Sequence, residues 1–266
     1  MYDSFNREIN YLRISVTDRC NLACSYCMPT EHIGKSGSLE VLSLEEIAGI
    51  VRTLAPYGIT KIRLTGGEPL IRPGIEELVR MITGIEGIRE VAMTTNGQRL
   101  AGKAMTLAQN GLKRVNISLD TLDPIRYSEL TRGGSLQKVL KGIDASLEAG
   151  LTPVKINCVL TPDTTPGEIE DLKEFCEERE LKLRFIRQMD LQRGKFWKVE
   201  GGQGGHCTAC NRMRLTVDGR FIPCLFSEKE YSISDHGILG AFEKALTHKP
   251  WKGKANTRST FYRIGG

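Results

Sequence analysis

The amino-acid sequence predicts an α/β fold: an open, partial parallel β/α barrel of about six units over residues 1–190, with a small C-terminal lobe over residues 191–266. Two observations carry that prediction. Six short segments of strand character are each followed by a connection, most with helical periodicity, and that order builds a parallel sheet covered by helices. Closure into a full barrel takes eight such units, so six leave it open.

The strands are read from Tyr11 to Thr17, Lys61 to Thr65, Glu90 to Thr94, Arg114 to Ser118, Val154 to Leu160 and Lys182 to Arg187. The first helix opens at Ser43, where Ser43 and Glu46 form a capping box and Ile47, Ile50, Val51 and Leu54 recur at helical spacing. Ile75, Leu78, Val79 and Ile82 repeat that spacing, as do Leu136, Val139, Leu140, Ile143 and Leu147, closed by Gly150 as a C-terminal cap. Ile169, Leu172, Phe175 and Cys176 mark the last of these helices. From about Leu191 the character changes. Residues 201–205, Gly-Gly-Gln-Gly-Gly, read as a flexible linker, and Leu215 to Ile222 as a hairpin turning at Asp218-Gly219.

Composition narrows the function classes. With 40% hydrophobic and 26% charged residues the chain is neither disordered nor collagen-like. No apolar run approaches the roughly 18 residues of a spanning helix, and Met1 to Phe5 lack the basic and apolar regions of an export signal. A cytoplasmic protein with no membrane partner is expected. The net charge of +5 is mild and does not call for nucleic acid. Eight cysteines are too few for a disulfide scaffold, yet six fall into two groups of three, which points to metal.

Strand alternation gives the interior an unusual chemistry. Leu12, Ile14, Ile62, Leu64, Val115, Ile117, Ile156 and Leu183 belong under the helices, so the opposite faces line the barrel. Those faces carry Arg13, Lys61, Arg63, Asn116, Lys155, Asn157 and Arg184 where branched aliphatics would ordinarily sit. Several buried cations are too costly without an anion among them. The cavity therefore reads as a site for a small polyanion, a nucleoside triphosphate being the natural candidate. Thr65-Gly66-Gly67-Glu68-Pro69, Thr94-Thr95-Asn96-Gly97 and Ser118-Leu119-Asp120 all follow strands and so collect at the C-terminal mouth.

Cys20, Cys24 and Cys27 form C-x3-C-x2-C in the loop after the first strand. Three thiolates without an obvious fourth suit a four-iron cluster with one open iron, which can chelate the amino and carboxylate groups of S-adenosylmethionine. Zinc completed by His32 and cysteines that hold no ligand are the other readings. Cys207, Cys210 and Cys224 form a second triad, C-x2-C-x13-C, folded together by the hairpin; a zinc ribbon using His206 or His236 competes there. Arg212 and Arg214 are two apart on a strand and share a face. Cys158 and Cys176 read as core, and Trp197 and Trp251 have no assigned role.

The stretch Tyr11-Leu12-Arg13-Ile14-Ser15-Val16-Thr17-Asp18-Arg19-Cys20-Asn21-Leu22-Ala23-Cys24-Ser25-Tyr26-Cys27-Met28-Pro29 resembles the radical S-adenosylmethionine enzymes, and within them the GTP 3′,8-cyclase family of molybdenum cofactor biosynthesis. The resemblance continues through Lys61 to Leu70, Thr94 to Gly97, Arg114 to Thr131, Arg184 to Ile186, Cys207 to Phe226 and the closing Gly265-Gly266. It implies two 4Fe–4S clusters, on Cys20, Cys24 and Cys27 and on Cys207, Cys210 and Cys224, the second meeting the guanine base. It implies S-adenosylmethionine contacts at Tyr26, Gly67, Ser118 and Met189, with Glu68 in the same motif. Arg13, Arg63, Thr94, Lys155, Arg212 and Arg214 match GTP-contacting positions, with Lys61 and Arg184 as phosphate partners. Arg13, Arg212, Arg214 and the Gly265-Gly266 tail would support catalysis. The implied reaction is hydrogen removal from the ribose 3′ carbon of GTP by a 5′-deoxyadenosyl radical, then closure onto C8 of guanine. An external electron donor of flavodoxin or ferredoxin type, product hand-off to cyclic pyranopterin monophosphate synthase, and a possible homodimer belong to the same expectation. The chain departs from the family in a shortened connection from Asp190 to His206, and in Arg187, which stands where an acidic residue is expected. Another nucleotide or a peptide as substrate, or an inactive iron–sulfur protein that binds a nucleotide, are the alternatives.

Overall fold

The structure, a computed structural model, describes residues 1–28 and 41–257. Among these, six parallel strands follow the expected segments: β1 (Tyr11–Ser15), β2 (Lys61–Thr65), β3 (Glu90–Thr95), β4 (Arg114–Ser118), β5 (Lys155–Leu160) and β6 (Lys182–Arg187). They lie side by side in chain order, from β6 at one edge to β1. Beyond β1 the same sheet continues into β7 (Arg212–Leu215), β8 (Arg220–Ile222) and β9 (Tyr231–Ser232). β7 runs parallel to β1, and β7 and β8 form the expected hairpin, antiparallel with Arg214 opposite Ile222. The C-terminal segment thus joins the barrel sheet at its β1 edge, a pairing that strand periodicity does not specify.

Helices α1 (Leu44–Leu54), α2 (Ile75–Thr83), α5 (Leu136–Glu148) and α6 (Pro166–Glu178) occupy the expected places. The capping box of α1 is formed, with the Glu46 amide donating to Ser43 Oγ at 3.0 Å and the Ser43 amide to the Glu46 carboxylate at 2.6 Å. Gly150 follows α5 at φ 72°, the left-handed geometry of a helix stop. Three helices have no counterpart in the sequence reading: α3 (Ala104–Gln109), α4 (Pro124–Thr131) and α7 (Ile233–Thr247). The first two are too short for a clear period. The third is broken at Gly237, whose φ of 67° interrupts the pattern.

Leu12, Ile14, Ile62, Leu64, Val115, Ile117 and Ile156 are fully buried beneath Val51, Val79, Val139 and Leu172 of the helices. Cys158 and Cys176 belong to this core. With the apolar faces used there, the opposite faces are left to the interior. None of the helices among the described residues is long and apolar enough to cross a membrane.

One expectation is corrected. Residues 201–205 are not a free linker but lie against the barrel. Phe185 of β6 bridges to Glu200, and the Val199 amide donates to Gly204 O at 2.9 Å. A Cβ on Gly201 would stand 2.5 Å from Leu183 O, and one on Gly205 2.1 Å from Trp197 O. Glycine is required here by close backbone approach.

Candidate active site

Strand register sets the cations in a row. Arg13 of β1 pairs across with Arg63 of β2 and Arg214 of β7, while Tyr11 pairs with Arg212. Beyond Arg63 the row continues through Ala92 to Arg114, and farther round Lys155 pairs with Asn116 and Arg184 with Asn157. All of these side chains except Ala92 line one cavity of about 980 Å³, closed on one side by Phe196, Val199 and the glycine segment. Among the described residues its lining holds seven arginines and two lysines against a single carboxylate, Glu90.

That imbalance perturbs the groups themselves. Burial, then the neighbouring Arg214, lowers the Arg13 pKa well below its ordinary value. Burial is also the main cause that lowers Arg63, Arg184 and Arg214, the last to about 10. Lys155 is lowered to about 8 by burial, Arg114 and Arg184. Several of these cations have partners within the wall. Arg114 pairs with Glu90, Arg63 donates to Tyr11 and to Thr94 Oγ1 at 3.3 Å, and Arg212 donates to Gln203 O at 2.7 Å. Arg184 Nε and Asn157 Oδ1 are buried without a hydrogen-bond partner among the described residues. Buried polar atoms left in this condition point to a ligand.

The first triad sits at the mouth. Its loop is held by the Gly67 amide on Thr17 O at 2.8 Å and the Glu68 amide on Arg19 O at 2.9 Å. A Cβ on Gly67 would stand 2.1 Å from Arg19 O, which explains the second glycine of the motif. Burial, the first cause, pushes the Cys20 thiol up to about 11 and Cys27 up to about 12, and Cys24 is driven higher still by burial and its two cysteine neighbours. Thiols shielded in this way need positive charge beside them to ionise near neutral pH, and the donor set fits a cluster that supplies it. Among the described residues no three His, Cys, Asp or Glu side chains are grouped for a single ion. A four-iron cluster does not need that spacing, because each thiolate takes its own iron.

Cys207, Cys210 and Cys224 line the same cavity, as does Cys27 of the first triad. Burial raises Cys224, whereas at Cys210 the opposing effect of burial is outweighed by Lys249 and Arg212, and the thiol is held below its usual value. His206 lines the cavity and His236 is exposed on α7; His32 lies outside the described residues.

Of the positions expected to meet S-adenosylmethionine, Tyr26, Gly67, Ser118 and Met189 line the cavity. Tyr26 donates to Asp120 at 2.7 Å, and Asp120 also accepts from the Val159 amide at 2.8 Å. Glu68 is buried and outside the lining; it accepts from Thr95 Oγ1 and the Asn96 amide, both at 2.7 Å, and from the Leu70 amide at 2.9 Å. Burial raises its pKa to about 7. Of the positions expected to meet GTP, Arg13, Arg63, Thr94, Lys155, Arg184, Arg212 and Arg214 share the cavity, while Lys61 is exposed at the start of β2 and outside the lining. Gly265 and Gly266 lie outside the described residues. Tyr11, Arg114 and Lys249 line the cavity without having been singled out. Alternation from Asn116 would have found Arg114; nothing in the sequence marks Lys249.

Residues 14–176 match the model of the radical SAM superfamily. A GTP 3′,8-cyclase of Alkaliphilus oremlandii is 43% identical over 300 aligned positions, covering 95% of this chain and 94% of that protein. Those positions outnumber the 266 residues here, so that relative carries segments this chain lacks. Molybdenum cofactor biosynthesis protein 1 of Mus musculus is 37% identical over 92% of this chain and 45% of its own length. Among solved structures, Streptococcus suis SuiB bound to S-adenosylmethionine superposes with a TM-score of 0.68 at 17% identity, covering 86% of this chain and 64% of that one. At that identity the likeness is one of fold. The cation-lined cavity and its two cysteine triads therefore stand in a chain that belongs to the GTP 3′,8-cyclase family of the radical SAM superfamily.

Proposed function

We propose that this protein converts GTP to 3′,8-cyclo-7,8-dihydro-GTP, the opening step of molybdenum cofactor biosynthesis. The observation that carries the reading is a single cavity, dense in cations, with cysteines of both triads in its wall. The GTP 3′,8-cyclase relative covers nearly its whole length and supports the same substrate.

When bound, the cluster on Cys20, Cys24 and Cys27 and S-adenosylmethionine supply a 5′-deoxyadenosyl radical. The chain's own residues bind, orient and shield. Tyr26, Gly67, Ser118 and Met189 form the cofactor's side of the cavity, and Asp120 fixes the Tyr26 ring edge. Arg13, Arg63, Lys155 and Arg184 receive the triphosphate; guanidinium forks suit phosphate oxygens in a way that a lysine cannot copy. Thr94 steadies Arg63. Arg212 and Arg214 lead from the phosphate side toward Cys207, Cys210 and Cys224, the proposed second cluster and seat of the purine. The wall formed by residues 196–205 excludes water from that space. A low-potential flavodoxin or ferredoxin as donor, a cytoplasmic setting, hand-off of the product to cyclic pyranopterin monophosphate synthase and a homodimer complete the proposal.

A peptide substrate would leave the cations opposite a largely uncharged chain, which their burial disfavours. The test is anaerobic reconstitution followed by incubation with S-adenosylmethionine, dithionite and either GTP, ATP or a peptide. Cyclised product and 5′-deoxyadenosine should form with GTP alone. Equal 5′-deoxyadenosine with ATP or peptide, and no cyclised nucleotide, would refute the assignment.

A further inference from the structure

Lys249 follows α7 and is only 3% exposed, yet it carries no carboxylate partner among the described residues. Its ammonium donates to Arg212 O at 2.6 Å and to Pro223 O at 2.7 Å. Two of its three ammonium protons are thus committed to these backbone carbonyls, so Lys249 is tied to the wall of the cavity that it lines. Arg212 lies two residues after Cys210, and Pro223 immediately precedes Cys224. One side chain thus joins the two separate pieces of the second triad.

The third ligand is fastened from the same side. Arg7, paired with Asp3 at 2.6 Å, donates to Cys207 O at 2.7 Å and to Pro250 O at 2.9 Å. The carbonyl it reaches on Pro250 belongs to the residue after Lys249. The N-terminal loop and the turn after α7 therefore form one bracket around Cys207, Cys210 and Cys224, with a positive side chain on each arm. A cluster held by three thiolates is net negative in its reduced form, and its potential follows local charge and the hydrogen bonds to its sulfurs.

We propose that Lys249 is a positioning residue for the second iron–sulfur cluster, aligning Cys210 with Cys224 and setting the cluster's reduction potential through its charge. This rests on the two-cluster reading above. The test compares the full chain with Lys249→Gln, which keeps donors and loses the charge, and Lys249→Met, which loses both. Iron per chain and the potential of each cluster, by redox titration followed with electron paramagnetic resonance, are measured after anaerobic reconstitution. The spectrum of the second cluster is assigned in the full chain carrying Cys20, Cys24 and Cys27 all changed to Ala.

Lys249→Gln should keep both clusters and shift only the second to a more negative potential. Lys249→Met should lose iron selectively from the second triad while the first still cleaves S-adenosylmethionine. Selective loss in Lys249→Gln as well would uphold the positioning role. Unchanged potential in Lys249→Gln with full iron in Lys249→Met would overturn the inference, as would equal iron loss from both triads. Iron for one cluster only in the unaltered chain would instead sink the two-cluster reading.

Discussion

Replacing Arg184 with Met should weaken GTP binding while leaving the unliganded protein at least as stable. Arg184 stands in register with Asn157, its Nε buried without a partner among the described residues, and Arg63 and Arg114 add repulsion to burial in lowering its pKa. A buried unsatisfied donor costs about 1–3 kcal/mol. Met keeps most of the aliphatic stem, so relief of that cost is not cancelled by lost packing. A gain of ~1 kcal/mol would raise Tm by about 2–4 °C in a domain near this size. The opposite holds for the complex. A hydrogen bond to a charged group contributes about 1.5–3 kcal/mol, equivalent to roughly 10- to 150-fold in Kd. Differential scanning calorimetry of the unliganded chain and anaerobic titration calorimetry with GTP read the two effects separately. A fall of several degrees in Tm with unchanged GTP affinity would show that Arg184 is a structural cation, and the anion-site reasoning would fail with it.

Three further outcomes follow from the same geometry. In the free protein Lys155 loses its proton near pH 8, since burial, Arg114 and Arg184 lower its pKa, whereas a bound triphosphate favours the charged form. GTP affinity should therefore be fully present below pH 8 and decline above it; Lys155→Arg, charged throughout, should flatten that decline between pH 7 and 9, and an unaltered slope would contradict the role. Gly67→Ala places a methyl group 2.1 Å from Arg19 O, so the loop bearing Cys20 must shift; iron in the first triad and S-adenosylmethionine cleavage should fall together, as iron analysis and 5′-deoxyadenosine assay will show. Cys224→Ala should remove about half of the reconstituted iron if each triad holds a four-iron cluster, abolishing cyclised product while 5′-deoxyadenosine still forms. Undiminished iron would place the second cluster elsewhere.

The parallel strands were legible because each one combines an apolar face with a polar face, and this barrel uses both. Arg13, Arg63, Lys155 and Arg184 could be assigned to the interior from alternation alone, since Leu12, Ile62, Ile156 and Phe185 beside them had to lie under helices. Alternation does not say how far a side chain reaches or how deep it sits, and Lys61, of the same parity as Arg63, ends exposed at the strand's first position. The place of β7 beside β1 was not legible, because parallel pairing between residues some two hundred apart leaves no local pattern. Lys249 was hidden for a related reason: its partners are the backbone carbonyls of Arg212 and Pro223, which carry no side-chain signature. The glycines of residues 201–205 were legible as glycines but misread, since composition cannot distinguish backbone freedom from backbone crowding.

GTP deuterated at the ribose 3′ carbon tests the central claim most directly. Incubated with the reconstituted protein, S-adenosylmethionine and reductant, it should yield 5′-deoxyadenosine carrying one deuterium, alongside 3′,8-cyclo-7,8-dihydro-GTP that has lost it. Unlabelled 5′-deoxyadenosine formed at the same rate with and without GTP would show that this cavity does not hold the triphosphate in reach of the radical.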